Sequence, residues 1–156
     1  MTAPRYQDLV AKNLPVRREP GVEIRIFSGA SGGISGPTKN YVPVTMVEIR
    51  LDAGASVRQD LPPDYNAFVV VLEGEGAIGA QAKSIAAGDV AFLTRNDKAA
   101  LSEVMVRAGN KPMRALVFAG RPLHEPVVAR GPFVMNTEAE IEQAYVDYRA
   151  GRFGPA

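Results

Sequence analysis

Fifteen glycines and twelve prolines are spread along a chain of 156 residues, and this punctuation excludes long helices over most of its length. What it leaves is a series of short strands joined by turns. In VPVTMVEIRL (42–51), Val47, Ile49 and Leu51 fall on one face with Glu48 and Arg50 on the other, and Asp52-Ala53-Gly54 closes the strand with a turn. Val57 to Leu61 reads as a second strand, stopped by Pro62-Pro63-Asp64. Ala67 to Leu72 (AFVVVL) is a third, β-branched and apolar on both faces. Further strands are expected at Val90–Leu93, Leu101–Arg107 and Met113–Ala119, with turns at Gly88-Asp89, Arg95-Asn96-Asp97 and Ala108-Gly109-Asn110. This regular spacing predicts a mainly β protein, a barrel or sandwich.

The C-terminus is the exception. Thr137 followed by Glu140 has the spacing of a capping box, and Glu138 suits the positive end of a helix. Ile141, Ala144, Tyr145 and Tyr148 recur at three- and four-residue intervals before Gly151, which predicts a C-terminal α-helix with one apolar face. The segment SGASGGISGPT (28–38) is glycine-rich and reads as a mobile loop.

Residues the chain lacks narrow its chemistry. With no cysteine, disulfides, thiolate nucleophiles and cysteine-ligated metals are excluded. A single histidine, His124, excludes every metal site built on a pair of imidazoles within the chain. Eighteen basic residues against seventeen acidic ones leave a net charge of +1, so no global field recruits nucleic acid or anionic lipid. Lys12, Arg17 and Arg18 form only a mild basic cluster without interleaved aromatics. The N-terminal stretch MTAPRYQDLVAKNLP has no continuous apolar segment and carries Arg5, Asp8 and Lys12, so it is no secretory signal and the expected location is the cytoplasm.

Gly74, Gly76 and Gly79 form G-x-G-x-x-G directly after the apolar strand, where a dinucleotide fingerprint would sit. That reading needs a helix of some length after Gly79 and an acidic residue about twenty positions on. Gln81 to Ala87 leaves room for two helical turns at most, and Glu75 puts a carboxylate where pyrophosphate would approach. Hairpin glycines are the better account.

The same glycines fit another frame. Counted from Gly54, with Gly74 closing the first motif and Gly79 and Gly88 anchoring the second, the spacing resembles the two-motif core of the cupin superfamily, a double-stranded β-helix or jelly-roll barrel. In that frame the metal-ligand positions fall on Asp60, Pro62, Ala67 and Ala91. Only Asp60 can ligate, so the resemblance implies a barrel with degenerate ligand positions. RYQDL (5–9), SGPTKNYVPVTMVEIRLDAG (35–54), LEGEG (72–76) and above all GRPLHEPVVARGPFVMNT (120–137) resemble the C-terminal domain of the pirin family. A full pirin is similar to two cupin domains face to face, its iron-type metal held by the N-terminal one through three histidines and a glutamate. The resemblance implies that this sequence begins where the second domain begins, that it holds no metal or other cofactor itself, and that the quercetin 2,3-dioxygenase activity of some bacterial members resides in the other half. The expected organisation is an N-terminal extension (1–20), a cupin barrel (21–120), and a crossing segment with the C-terminal helix (121–156).

No other catalytic grouping emerges. His124 lies between Pro122 and Pro126 and reads as an exposed loop residue; Glu125 neighbours it, but no G-x-S-x-G elbow is present. Glu73 and Glu75 read as solvent-facing at a turn, and Glu138, Glu140 and Glu142 as a solvated helix face. A cavity in the barrel would be lined by Phe68, Val70 and Phe92 with Asp60 near its mouth. Phe133, Val134 and Met135, with Ile141, Tyr145 and Tyr148 on the helix, are expected to form apolar surface that needs a cover. Two functions remain open: a metal-free structural or regulatory module that forms a homodimer or binds a pirin N-terminal domain in trans, without direct contact to nucleic acid or membrane, or a pirin-type quercetin 2,3-dioxygenase active only with the metal-binding domain supplied. A metal-free small-molecule binder is the variant of the second.

Overall fold

The computed structural model describes residues 5–95 and 102–153, and the segment holding Asn96, Asp97 and Leu101 lies outside them. The chain divides into two compact units, Met1–Pro122 and Leu123–Ala156.

The first unit is built from twelve short strands among the described residues: β1 (Val16–Glu19), β2 (Val22–Ser28), β3 (Ala30–Ser31), β4 (Ile34–Ser35), β5 (Val44–Leu51) and β6 (Ser56–Leu61). After them come β7 (Asn66–Glu73), β8 (Glu75–Ile78), β9 (Lys83–Ala86), β10 (Val90–Phe92), β11 (Ser102–Ala108) and β12 (Met113–Gly120). Ten of them form a six-stranded sheet in the order β1-β2-β5-β12-β7-β10 and a four-stranded sheet in the order β6-β11-β8-β9, while β3 and β4 pair with each other. From β5 to β8 each successive strand changes sheet, which is the jelly-roll pattern that the cupin resemblance implies. Every pairing in both sheets is antiparallel.

Strict alternation puts one set of side chains between the sheets. Ile24, Ile26, Val47, Ile49, Val69 and Val117 from the larger sheet are fully buried, and they belong to one cluster with Val57, Val104, Val106 and Ile78 from the smaller. Each such side chain removed from water contributes about 1.5–3 kcal/mol before the entropy of ordering is subtracted.

Three sequence expectations change here. Residues 28–38 are an ordered element: β3 and β4 pair around Gly32 and Gly33, both at positive φ. Within Gln81–Ala87 there are no helical turns but strand β9, paired with β8. Val16–Glu19, in the stretch read as an extension, pairs with β2 and forms one edge of the larger sheet.

The glycines of G-x-G-x-x-G serve strand packing. A side chain at Gly74 would meet the Pro112 carbonyl, and one at Gly76 the Arg107 carbonyl, while Gly79 needs its φ of +77° but faces open space. Gly76→Ala is therefore expected to lower the midpoint of urea unfolding by more than Gly79→Ala, whose cost is the left-handed strain of about 1–2 kcal/mol alone.

Glu48 also departs from expectation. It points to the outer face of the six-stranded sheet, yet is only 6% exposed. Register explains this: Arg25 sits opposite on β2, and Arg50 and Arg114 pair across β5 and β12 one step along. Their guanidinium groups reach the carboxylate at 3.3, 3.1 and 3.4 Å and their stems cover it. Arg114 also reaches Glu73 at 2.6 Å. The hydrogen bond to Glu48, and then the attraction of its charge, hold the Arg50 guanidinium above its ordinary pKa. Removing the carboxylate would leave the partly buried Arg25 and Arg114 and the exposed Arg50 without their shared counter-ion. Glu48→Ala is expected to lower stability by about 1–3 kcal/mol, read as a fall in the urea midpoint with an unchanged m-value.

The second unit holds a hairpin of β13 (Val128–Arg130) and β14 (Phe133–Met135), turned at Gly131, and helix α1 (Glu138–Arg149). The capping box forms as the sequence predicts: Thr137 Oγ1 accepts from the Glu140 amide at 3.3 Å, and the Glu140 carboxylate accepts from the Thr137 amide at 2.9 Å.

Candidate functional site

A cavity of about 650 Å³ lies between the two sheets along the expected ligand positions. It lies against both edge strands β9 and β10, with Leu61 from β6 and Val104 from β11 reaching its wall. Leu61, Tyr65, Ala67, Ile78, Ile85 and Leu93 supply its apolar wall. Polar groups sit around it: Lys83, Ser84, Asp89, Ser102 and Glu103. Two of the carboxylates are committed elsewhere. Asp89 accepts a hydrogen bond from the Ala86 amide at 2.9 Å and holds the β9–β10 turn, while Glu103 pairs with Arg58 at 2.9 Å.

Three of the four frame positions, Pro62, Ala67 and Ala91, line this cavity. Asp60 does not. It lies on a neighbouring groove, its side chain exposed and accepting a hydrogen bond from the Gly32 amide at 3.1 Å. On β6 the inward residues are Val57, Gln59 and Leu61, so strand parity puts Gln59 and Leu61 where two imidazoles would have to point. Gln59 is fully buried; its Nε2 donates to the carbonyls of Ala30 at 3.0 Å and Asp60 at 2.7 Å, and its Oε1 has no partner. The glycine frame does not single out this buried amide; the alternation of SVRQDL is the signal that finds it.

The lining expected from Phe68, Val70 and Phe92 also shifts. Ala67, Val69 and Val71 are the buried set on β7, which places Phe68 and Val70 on the opposite, outer face. Of the three, Phe92 alone borders the cavity, and it is 82% exposed. β7 is apolar on both faces, so composition could not say which face turned inward.

A transition metal asks for at least three well-placed donors, usually imidazoles and carboxylates. Gln59, Leu61, Ala67 and Ala91 do not fit such an ion. Among the described residues no three of His, Cys, Asp or Glu come close enough together to hold one. His124 is exposed, at a φ of +54°, and its neighbour Glu125 accepts a hydrogen bond from Asn136 at 3.2 Å instead of orienting the imidazole. Arg17 and Arg18 are paired with Glu19 and Glu23, so two of the three cations of the basic cluster are engaged within the chain.

The residues read as an interface in the second unit pack on one another. Phe133 makes edge contacts with Tyr145 at 5.0 Å and Tyr148 at 6.2 Å and stacks on Phe153 at 5.7 Å. Ile141 and Ala144 are buried, and Met135 is half-buried. Val134 and Tyr148, each 65% exposed, are what remains open of that set.

Residues 46–154 match the family model described as the pirin C-terminal cupin domain. The chain belongs to the pirin family. Pirin-1 of Arabidopsis thaliana is 35% identical over 99% of this chain, and human pirin is 35% identical over the same share. The match takes up 53% and 52% of those proteins, so the chain spans about half the length of the curated pirins it resembles. Among solved structures, the quercetin 2,3-dioxygenase from Acinetobacter baumannii superposes with a TM-score of 0.84 at 31% identity, covering 99% of this chain and 52% of that one. The cupin jelly roll with one C-terminal helix is thus this chain's fold. No helix among the described residues is long and apolar enough to cross a membrane.

The parity of β6 can be tested by building a site. A Gln59→His, Leu61→His, Ala91→His triple variant is expected to gain thermal stability on addition of nickel or zinc, whereas Asp60→His, Pro62→His, Ala91→His is expected to show no metal-dependent shift.

Proposed function

We propose that this pirin C-terminal cupin domain is a metal-free module with a structural or regulatory role exerted through protein association. The observation that carries the reading is the inward set Gln59, Leu61, Ala67 and Ala91, which supplies no anionic or imidazole donor at the positions a cupin uses for its metal. A barrel so lined keeps its shape from apolar packing and needs no ion. Oxygenation of quercetin, the activity named for the A. baumannii relative, would then require a metal-bearing cupin domain, and this chain would contribute by docking to one. The partners consistent with this role are a second copy or a pirin N-terminal domain supplied in trans, in the cytoplasm.

A second reading has its own support in the cavity of about 650 Å³, a volume within the range of small-molecule sites. With Tyr65 and Ser102 as hydrogen-bonding groups on its wall, it could take a planar, mostly apolar ligand without metal.

The purified chain, incubated with quercetin, oxygen and ferrous or nickel salt, is expected to consume no oxygen above the metal-only control and to retain no stoichiometric metal after dialysis. Turnover together with one tightly held ion per chain would overturn the proposal, and saturable quenching or calorimetric binding of quercetin without turnover would favour the second reading.

A further inference from the structure

A second concavity, of about 660 Å³, opens at the end of the barrel where β5 begins and β6 ends, beside the β3–β4 hairpin. Among the described residues on its wall, Asp60 alone is charged. Two hydroxyl side chains line it from deep in the fold. Thr45 continues the inward row of Val47, Ile49 and Leu51 on β5 and is 5% exposed. Tyr65 follows the Pro62-Pro63 turn, borders both this groove and the cavity described above, and is 9% exposed. Neither hydroxyl makes a hydrogen bond among the described residues, and neither belongs to the polar atoms sealed from solvent without a partner, which are Arg25 Nε, Gln59 Oε1 and Arg114 Nε. Both oxygens therefore keep an open side. A β-carbon at Gly29 would lie 2.5 Å from Thr45 Oγ1, so the glycine, at a φ of +74°, leaves that oxygen uncovered. Polar groups so deeply placed are normally bonded within the chain, and two that are not, on one groove, ask for a partner from outside it.

We propose that this groove is a binding site for an uncharged sugar of one or two rings. The atoms left open on its wall select that class. Asn40 uses its Nδ2 on Ser28 Oγ at 2.5 Å, and Asp60 uses its Oδ1 on the Gly32 amide at 3.1 Å, which leaves Asn40 Oδ1 and Asp60 Oδ2 open. Those two oxygens only accept, so the ligand has to bring hydrogen-bond donors, whereas the hydroxyls of Tyr65 and Thr45 both donate and accept. Sugar hydroxyls answer both kinds. A phosphorylated or carboxylated ligand would meet the Asp60 carboxylate with no cation beside it to offset the repulsion. An amine would use that carboxylate and leave the hydroxyls idle, and an apolar ligand would leave all four groups idle. Pro43, Pro62 and Pro63 supply apolar surface for the C–H face of a sugar ring. The wall is also fixed in advance. Thr38 donates to the Phe27 carbonyl at 2.5 Å, and Gln7 clasps the same loop, donating to the Pro37 carbonyl at 2.9 Å and accepting from the Lys39 amide at 3.1 Å.

The groove is independent of the association role and of the cavity reading, since Thr45, Asn40 and Asp60 lie off that cavity. Calorimetric titration of the intact chain with glucose, galactose, mannose, maltose and sucrose is expected to give saturable, millimolar binding of at least one of them, and none of glucose 6-phosphate at the same concentrations. Thr45→Val and Tyr65→Phe each remove one oxygen, and each is expected to weaken that binding about fivefold or more without lowering the urea midpoint, because neither oxygen is bonded within the chain. A threonine or tyrosine with a merely structural role would do the reverse. Failure of all these sugars to bind overturns the proposal, as does binding indifferent to both substitutions or shared equally by glucose 6-phosphate. A chain that oxidises quercetin with its own metal and still binds sugar through Thr45 would remove the proposed function and leave the groove standing.

Discussion

A strand turns alternate side chains to opposite sides, and the six-stranded sheet has only one side covered by its four-stranded partner. On the covered side the solution is apolar packing: β2 reads buried at every second residue from Val22 to Ser28, and β12 does the same from Met113 to Ala119. On the other side the same strands must present something to water. Near β1 and β2 they present a charge network centred on Glu48, and near β7 and β10 they present phenylalanine. The two halves differ in kind. The charged half is held by ion pairs, with Arg25 Nε and Arg114 Nε buried without a hydrogen-bond partner, whereas apolar surface gains free energy when it is covered.

The fold is legible because turn residues and alternation are local properties. Pro62-Pro63-Asp64, Asp52-Ala53-Gly54 and Gly88-Asp89 mark strand ends in the sequence and stand at strand ends in the structure, and the capping box of Thr137 and Glu140 marks the start of the helix. Which face of a strand turns inward is a relation between strands, and there legibility fails. In AFVVVL both parities are apolar, so Phe68 and Val70 are as plausible a lining as Ala67 and Val69. In SVRQDL a frame counted from Gly54 points to Asp60, although the alternation of Val57, Gln59 and Leu61 already carries the correct side. The burial of Glu48 is hidden for the same reason: its three arginines come from β2, from two residues along β5, and from β12, 66 positions away.

Glycine illustrates how a motif misleads when its geometry is unseen. G-x-G-x-x-G binds phosphate because backbone amides converge at a helix N-terminus. Here Gly74 and Gly76 instead let β8 lie against Arg107 and Pro112, and the segment after Gly79 turns into β9. The composition is shared by both uses, and the deciding variable is the element after the third glycine, a helix in one case and a strand in the other.

The inward positions of β6, β7 and β10 connect these points to function. In a cupin that grips a metal, ligand side chains converge between the sheets and their desolvation is repaid by the ion. With Leu61, Ala67 and Ala91 lining the cavity, nothing there needs repayment, and the core cluster runs past those positions without interruption. Gln59 is the polar side chain among the inward residues of β6, its amide nitrogen tied to Ala30 and Asp60 and its Oε1 without a partner. The proposed role in association rests on that lining, because a barrel packed with apolar groups keeps its shape without an ion.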